Sequence, residues 1–255
     1  WVDASRTRYW AYEMSASQST KYGDGSVRRE TPYPYWGEDY GYLPYRFKEI
    51  ADNVDYSAFV TPVEGADRYT TAIAASIAAF PAGSARTVVL ASGENWPDAL
   101  GASALAGPVL LTRSAALSSG VSSELERLGA TEVIVVGGEQ AVSSAVIASL
   151  GTVETTRVAG RDRYETSLRI VETAAERAAA AGRALDTTVF VTTGANFPDA
   201  LAASPIAYRH ARPIVLTTPD GLHLEAAAAI AVAGARSATV IGGPAAIGDE
   251  AYKDL

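Results

Sequence analysis

The stretch Thr131-Glu-Val-Ile-Val-Val-Gly-Gly138 is an apolar, β-branched run that ends at two glycines. It predicts a buried strand followed by a tight turn, because β-branched residues pack well on a pleated sheet. Two more short apolar runs precede it, Thr87-Val-Val-Leu-Ala91 and Pro108-Val-Leu-Leu-Thr112. Fully apolar strands that alternate with helices indicate a parallel sheet that is covered on both faces.

Helices are predicted between these strands. Asp67 is expected to cap a helix over residues 68–80, because its carboxylate can accept from the first free amides. Asn95 and Pro97 are expected to open the next helix, since Asn caps well and Pro fits the first turn. The remaining helices of this part are predicted over residues 121–128, ending at Gly129, and over residues 142–150.

The unit that contains these elements occurs twice. Four motifs return in the same order at offsets of about 95 to 105 residues, which is too long for a solenoid repeat and fits a small domain copied in tandem. The pairs are Gly65-Ala-Asp-Arg-Tyr-Thr-Thr-Ala72 with Gly160-Arg-Asp-Arg-Tyr-Glu-Thr-Ser167, Gly93-Glu-Asn-Trp-Pro-Asp-Ala-Leu100 with Gly194-Ala-Asn-Phe-Pro-Asp-Ala-Leu201, Pro108-Val-Leu-Leu-Thr112 with Pro213-Ile-Val-Leu-Thr217, and Val135-Val-Gly-Gly138 with Val240-Ile-Gly-Gly243. We therefore expect an α/β fold of two tandem, doubly wound, Rossmann-like modules with parallel sheets, module 1 over residues 61–155 and module 2 over residues 156–255.

Residues 1–60 differ in composition from the repeats. They contain nine of the thirteen Tyr and three of the four Trp, and they show no sustained hydrophobic period. We expect an irregular, aromatic-rich segment that is either unique to this chain or the remnant of another domain. The aromatic residues from Tyr33 to Tyr45 could stack on sugar rings or serve as a packing cover.

The composition excludes several functional classes. The 255 residues include no Cys, which rules out a disulfide framework, a Cys-ligated zinc site and thiol catalysis. The net charge of −8 argues against an extended nucleic-acid footprint, and no apolar run is long enough to span a membrane. The chain begins at Trp1 rather than Met, so we expect the natural N-terminus, and any signal peptide, to lie upstream.

The recurring polar motifs follow the predicted strands, at the carboxyl edge where parallel sheets bind ligands. Arg68 and Arg163 are candidate anion-binding groups, helped by the amides of a helix N-terminus. In the alternative interpretation, Asp caps the helix, Arg pairs with an internal carboxylate and Tyr packs. Asp98 and Asp199 are expected to accept such a pair within their own module.

No catalytic site is predicted. Gly137, Gly138, Gly242 and Gly243 allow a tight turn or close approach to a ligand, but no dinucleotide fingerprint, phosphate-binding loop or nucleophile elbow is present. Neither a His-centred triad nor a metal cluster is evident, so we expect no cofactor and no metal.

The doubled pattern G-x-D-R-Y-x-T, S/T-G-x-N-W/F-P-D-A-L, P-V/I-L/V-L-T and I/V-G-G closely resembles the cell wall-binding repeat 2 family, over about residues 61–255. The resemblance implies compact α/β modules that bind an anionic secondary cell wall polysaccharide on Gram-positive surface proteins. It also implies that modules come in threes about a pseudo-threefold axis, so that a third module or self-association completes the two seen here. The family's Ile-Leu-Leu run, linked to anchoring, matches Val109-Leu110-Leu111 and Ile214-Val215-Leu216, which the residues alone identify as core strands.

We thus expect a secreted, non-enzymatic anchoring region at the cell surface. The alternatives are the targeting region of a wall hydrolase and a self-assembling surface-layer component. The candidate polymer-binding residues are Arg68, Arg163, Asn95, Asn196, Arg113, Arg161, Gly137, Gly138, Gly242 and Gly243, and the basic residues expected to be unpaired are Arg113, Arg161, Arg209 and Arg212. The residues expected to be structural are Asp67, Tyr69, Thr71, Asp98, Leu110, Leu111, Asp162, Tyr164, Thr166, Asp199, Val215 and Leu216.

Overall fold

The computed structural model describes residues 19–21, 27–29, 62–95, 97–105 and 107–255. The chain divides into two units, Trp1–Pro62 and Val63–Leu255. In the first unit, β1 (Ser19–Lys21) pairs antiparallel with β2 (Val27–Arg29). The expectation of sugar stacking by Tyr33–Tyr45 falls outside the described residues.

Module 1 contains a four-stranded parallel sheet with the strand order β4-β3-β5-β6. Its strands are β3 (Thr87–Ser92), β4 (Val109–Thr112), β5 (Glu132–Val136) and β6 (Glu154–Val158). Its helices are α1 (Arg68–Ala79), α2 (Val121–Leu128) and α3 (Ser144–Ala148), with 3₁₀ turns at Pro97–Ala99 and Ala102–Leu105.

Module 2 repeats this arrangement with a three-stranded parallel sheet of order β8-β7-β9. Its strands are β7 (Thr188–Thr193), β8 (Ile214–Thr217) and β9 (Ser237–Ile241). Its helices are α4 (Arg163–Ala180), α5 (Pro198–His210), α6 (Leu224–Val232) and α7 (Asp249–Asp254). The predicted fold class, tandem α/β modules with parallel sheets, is confirmed.

The cap predicted at Asp67 forms. The Asp67 carboxylate accepts from the amides of Tyr69 and Thr70 at 3.1 and 2.9 Å, and the hydroxyl of Thr70 in turn accepts from the amide of Asp67. The Asp162 carboxylate likewise accepts from the amides of Tyr164 and Glu165 at the start of α4. The amide of Thr70 is also the main reason that the pKa of Asp67 lies below its usual value.

The prediction of a helix that begins at Asn95 and Pro97 is wrong in module 1, where two short 3₁₀ turns take its place. Gly101 lies between these turns, and Gly costs about 1 kcal/mol in a helix interior. A Cβ at Gly101 would also lie 3.2 Å from Ile170 Cδ1, so the glycine allows α4 to approach closely. In module 2 a helix does form, but Asn196 is not its N-cap, because its side chain accepts from the neighbouring amide of Phe197.

Strand β6 was not predicted, and it straddles the boundary expected between the modules at residue 155. Each of its residues pairs with β5, so the connection into module 2 forms the edge of the first sheet. Val158, its last residue, is buried in a core that both modules share. The two modules are therefore joined by a continuous apolar interior, to which they contribute Val89, Leu105, Ile134, Val136 and Val158 from module 1 and Ile170, Val171, Val189, Val191 and Val215 from module 2.

No helix within the described ranges combines the length and apolar character needed to cross a bilayer.

Candidate functional site

The two motif arginines hold their own strand-end loops. Arg68 Nη1 donates to the carbonyl of Gly93 at 2.5 Å, and Arg163 Nη1 donates to the carbonyl of Gly194 at 2.6 Å. A Cβ on Gly93 would lie 2.5 Å from Tyr69 Cε1, so the glycine is needed for the tyrosine to reach the loop. This geometry favours the structural interpretation of the Asp-Arg-Tyr-x-Thr motif.

Asp98 joins the two modules. The expected pairing of Asp98 with Arg68 within module 1 is wrong: its carboxyl group lies beside the hydroxyl of Thr166 and near Arg163, both in module 2. Burial of this carboxyl raises its pKa, although the Thr166 hydroxyl and the Arg163 charge act in the opposite direction. The 3₁₀ turns of module 1 pack against α4, and this packing places Asp98 near an arginine of the other module.

The first glycine of each Gly-Gly pair leaves room for the motif aspartate of its own module, which is Asp98 in module 1 and Asp199 in module 2. Gly137 and Gly242 have φ values of +105° and +135°, which side chains rarely adopt. A Cβ at Gly137 would lie 3.0 Å from Asp98 Oδ2, and one at Gly242 would lie 3.0 Å from an Asp199 oxygen. The second glycines, Gly138 and Gly243, face open space, and a Cβ at either position would meet no atom within 4 Å.

A cleft of about 400 Å³ opens at this junction, at the carboxyl ends of the strands of module 1. We call it the junction cleft, and it is lined by Asn95, Asp98, Gly138, Glu139, Gln140, Ala141, Gly160, Arg161, Asp162 and Arg163. Its carboxylates outnumber its guanidinium groups, and both arginines already have internal partners. The junction cleft is therefore poorly suited to a strongly anionic ligand, and its open backbone suits neutral hydroxyl groups.

The expectation of unpaired arginines is wrong for Arg161 and Arg212, which have carboxylate partners, and is right only in part for Arg113. Arg161 donates to Glu165 at 2.6 Å and to Glu225 at 3.1 Å. Its amide and side chain hold the pKa of Glu165 at about 2. Arg212 binds Asp186 at 2.7 Å, whereas the largely exposed Arg113 lies 3.9 Å from Glu94.

Two contacts of the motif tyrosines were missed. The guanidinium of Arg113 lies 4.8 Å from the ring centre of Tyr69, in cation–π geometry. In module 2 the ring of His223 stacks on Tyr164 at 4.3 Å, with Nδ1 2.6 Å from Glu225. No repeated residue marks His223, so the duplication offered no signal for it, whereas Thr166 was marked by the recurring threonine at Thr71.

The strands matched to the family's Ile-Leu-Leu run are interior. Leu110, Val215 and Leu216 are buried, and Leu111 is half-buried. They pair with the central strands β3 and β7. Any effect of these side chains on binding would act through packing. Within the part of the chain that the structure describes, no group of three or more His, Cys, Asp or Glu is arranged to hold a metal ion.

Comparison with known proteins identifies both copies. The family model described as cell wall binding domain 2 matches residues 63–147 and 157–252. The N-acetylmuramoyl-L-alanine amidase LytC of Bacillus subtilis is 32% identical over 213 residues, which are 81% of this chain and 40% of the amidase. The amidase enhancer of the same organism is 32% identical over 183 residues, which are 69% of this chain and 24% of the enhancer. The chain thus spans less than half the length of either relative.

Two solved structures share the fold. Cwp6 from Clostridium difficile superimposes with a TM-score of 0.66 and 28% identity, over 75% of this chain and 30% of its own. Cwp8 from the same organism superimposes with a TM-score of 0.64 and 26% identity, over 83% of this chain and 36% of its own.

Proposed function

The chain belongs to the cell wall binding domain 2 family, and from this premise we propose that it attaches an exported bacterial surface protein to the wall without a covalent bond. The ligand in this proposal is an anionic secondary wall polymer. The observation that carries it is the match of the family to both modules, which links the function to the tandem repeat rather than to one copy. Each contact would be weak, and two modules on one chain raise retention through effective concentration.

The test is sedimentation of the purified chain with wall sacculi, before and after acid extraction of the secondary polymers. We expect the protein to pellet with intact sacculi and to remain in solution with extracted ones. Since the chain itself carries a net charge of −8, recognition must use shaped local sites, and binding should weaken only moderately as salt rises. Undiminished binding to extracted sacculi would overturn the secondary polymer as the ligand and would indicate that the chain binds peptidoglycan.

A second candidate is the targeting region of a wall hydrolase. It is favoured by the likeness to a protein named as an amidase, of which this chain spans 40%. Loss of turbidity when the chain is mixed with purified walls would decide for a hydrolase within the chain. Walls that bind the chain and keep their turbidity would leave anchoring or targeting as its role.

We further propose that an equivalent module packs against α5. Leu100 and Leu105 of module 1 are 2% and 3% exposed against module 2, whereas their counterparts Leu201 and Ile206 are 52% and 50% exposed. Among the described residues, β9 also lacks the neighbour that β6 gives to β5. A heterologous contact of this kind closes into a ring if the rotation between modules allows it and otherwise continues as an open filament.

The equivalent module could come from a longer polypeptide or from a second copy of this chain. Light scattering separates the two, because a second copy predicts an oligomer that the double substitution L201D/I206D disrupts. A monomeric mass at all concentrations would exclude the second copy and leave a further module of a longer polypeptide as the proposed partner. Polymer-free growth into large assemblies would favour a surface-layer component.

A further inference from the structure

A second cleft, of about 410 Å³, lies at the amino ends of the strands, opposite the edge predicted to bind ligands. We call it the amino-end cleft. Module 1 supplies the start of β3 and the turn before β4, and module 2 supplies the second half of α4, the segment before β7 and the end of α5. Its floor is apolar, formed by Ala104, Leu105, Pro108, Ala174, Ala178 and Leu185.

The lining of the amino-end cleft is positively charged in an acidic chain. It contains Arg86, Arg177 and Arg183 and no Asp or Glu. Arg86 and Arg183 are exposed, and within the described ranges no hydrogen bond or ion pair engages either guanidinium. They stand on different modules, Arg86 just before β3 and Arg183 in the segment before β7, and both line the cleft. This is the opposite of the junction cleft, where both arginines are already engaged.

Arg177 fixes the shape of the amino-end cleft rather than adding a free charge. It donates to both carboxylate oxygens of Glu132 at 2.6 and 2.8 Å and to the hydroxyl of Thr87 at 2.8 Å. These bonds cross from module 2 to module 1, and they hold the pKa of Glu132 below its usual value. Glu132 is therefore ionised and satisfied, and its charge is balanced before any ligand arrives.

An aromatic pair completes the rim. The rings of Phe80 and Tyr208 meet edge to face, with centroids 6.2 Å apart, and they too come from different modules. Tyr208 remains 42% exposed. A partly exposed ring beside an apolar floor suits the face of a sugar, and forked guanidinium groups suit phosphate or carboxylate oxygens.

We propose that the amino-end cleft is the site that binds an anionic glycan, with Tyr208 against a sugar ring and Arg86 and Arg183 on its acidic groups. This inference rests on the proposed function, because it assigns the polymer to a site. It also moves that site away from the carboxyl edge, where the recurring motifs hold the modules together. Arg183 lies just beyond the C-terminus of α4, where a cation is favoured for structural reasons alone, so binding has to be measured separately from stability.

The experiment compares the double variant R86Q/R183Q with the charge-matched control R236Q/K253Q, in the full chain. Arg236 and Lys253 are exposed basic residues that do not line the amino-end cleft. Each protein is titrated with wall sacculi before and after acid extraction, and its melting temperature is recorded. We expect R86Q/R183Q to bind intact sacculi about tenfold more weakly or worse, since each lost charged contact is of that order. The control should bind as the parent does, and both should melt within a few degrees of it.

A second pair of variants tests the aromatic contact. Y208A should weaken binding, whereas Y252A, which removes another half-exposed tyrosine, should not. The assignment is overturned if R86Q/R183Q binds like the parent, or if the control weakens equally and charge alone is responsible. The proposed function fails by a different result, in which the parent binds extracted sacculi as well as intact ones.

Discussion

The apolar seam between the modules should be the most sensitive part of the chain. Ile170 on α4 is 1% exposed and packs in the core that both modules share. Its Cδ1 atom faces Gly101 of module 1, where even a methyl group would approach to 3.2 Å. The substitution I170A leaves a cavity at this seam, and neither module can refill it without moving against the other.

The size of the effect follows from the burial. Each buried carbon that is removed costs about 0.8 kcal/mol in transfer free energy, and the cavity adds to this, so that Ile to Ala costs about 2–5 kcal/mol. We expect a loss of about 3 kcal/mol in the free energy of unfolding. For a unit of this length, 1 kcal/mol shifts the melting temperature by about 2–4 °C, so the fall should be about 10 °C.

Differential scanning calorimetry and urea unfolding measure this change. The matched control is I77A, which removes the same atoms from a helix position that is 54% exposed and should change stability little. A weakened seam should also broaden the transition or split it, because the modules would no longer unfold together. If I170A melts like I77A, the shared core does not join the modules, and the argument for one cooperative unit fails.

Three further substitutions, one of them with a matched control, test the junction. G137A should cost about 1–3 kcal/mol in urea unfolding, because φ is +105° and the methyl group meets Asp98, whereas G138A should be nearly neutral. Since the pKa of Glu165 is held at about 2, its contribution to stability is present above its ordinary value of 4.5 and is lost as the pH falls toward 2; E165Q should remove that part of the acid dependence. Burial raises the pKa of Asp98, so its contribution is present below 3.8 and is lost as the pH rises through the folded value; D98N should therefore gain stability relative to the parent over that rise.

Each of these three predictions would be contradicted by a specific result. Equal losses in G137A and G138A would mean that the close approach of Asp98 is irrelevant. An acid unfolding curve of E165Q that is parallel to the parent's would mean that the bonds from Arg161 do not persist in solution. A constant difference between D98N and the parent across the pH range would mean that this carboxyl is solvated rather than buried.

The local part of the fold was predictable because it depends on short-range rules. Val121–Leu128 begins and ends where the prediction placed it, since Gly129 adopts φ +71° and closes the helix. The Asp67 cap and the apolar strands follow from equally local preferences. The helix after Asn95 failed because Gly101, together with the approach of Ile170, overrode the local signal of Asn and Pro.

The partners of the motif residues were not predictable from the repeat. A duplication marks Asp98 and Arg68 as important in each copy, but it does not say which copy supplies the partner. The structure pairs the aspartate of one module with the threonine of the next, a contact between residues far apart in sequence. Leu100 and Leu201 occupy the same position of the repeated motif and show the same effect. Leu100 is buried against module 2, whereas Leu201 is exposed because no described module packs against it.

Under the proposed function, the two modules have to stay joined while the chain holds a charged polymer. At the carboxyl edge, where parallel sheets usually bind ligands, Arg68 and Arg163 donate to strand-end carbonyls. Arg161 donates to Glu165 and Glu225. A polyanion that bound there would compete with those internal bonds and weaken the modules' own structure. At the amino ends, Arg177 performs the joining through Glu132 and leaves Arg86 and Arg183 available. Binding at that edge, as we propose, would add contacts to these two arginines without breaking the bonds that join the modules.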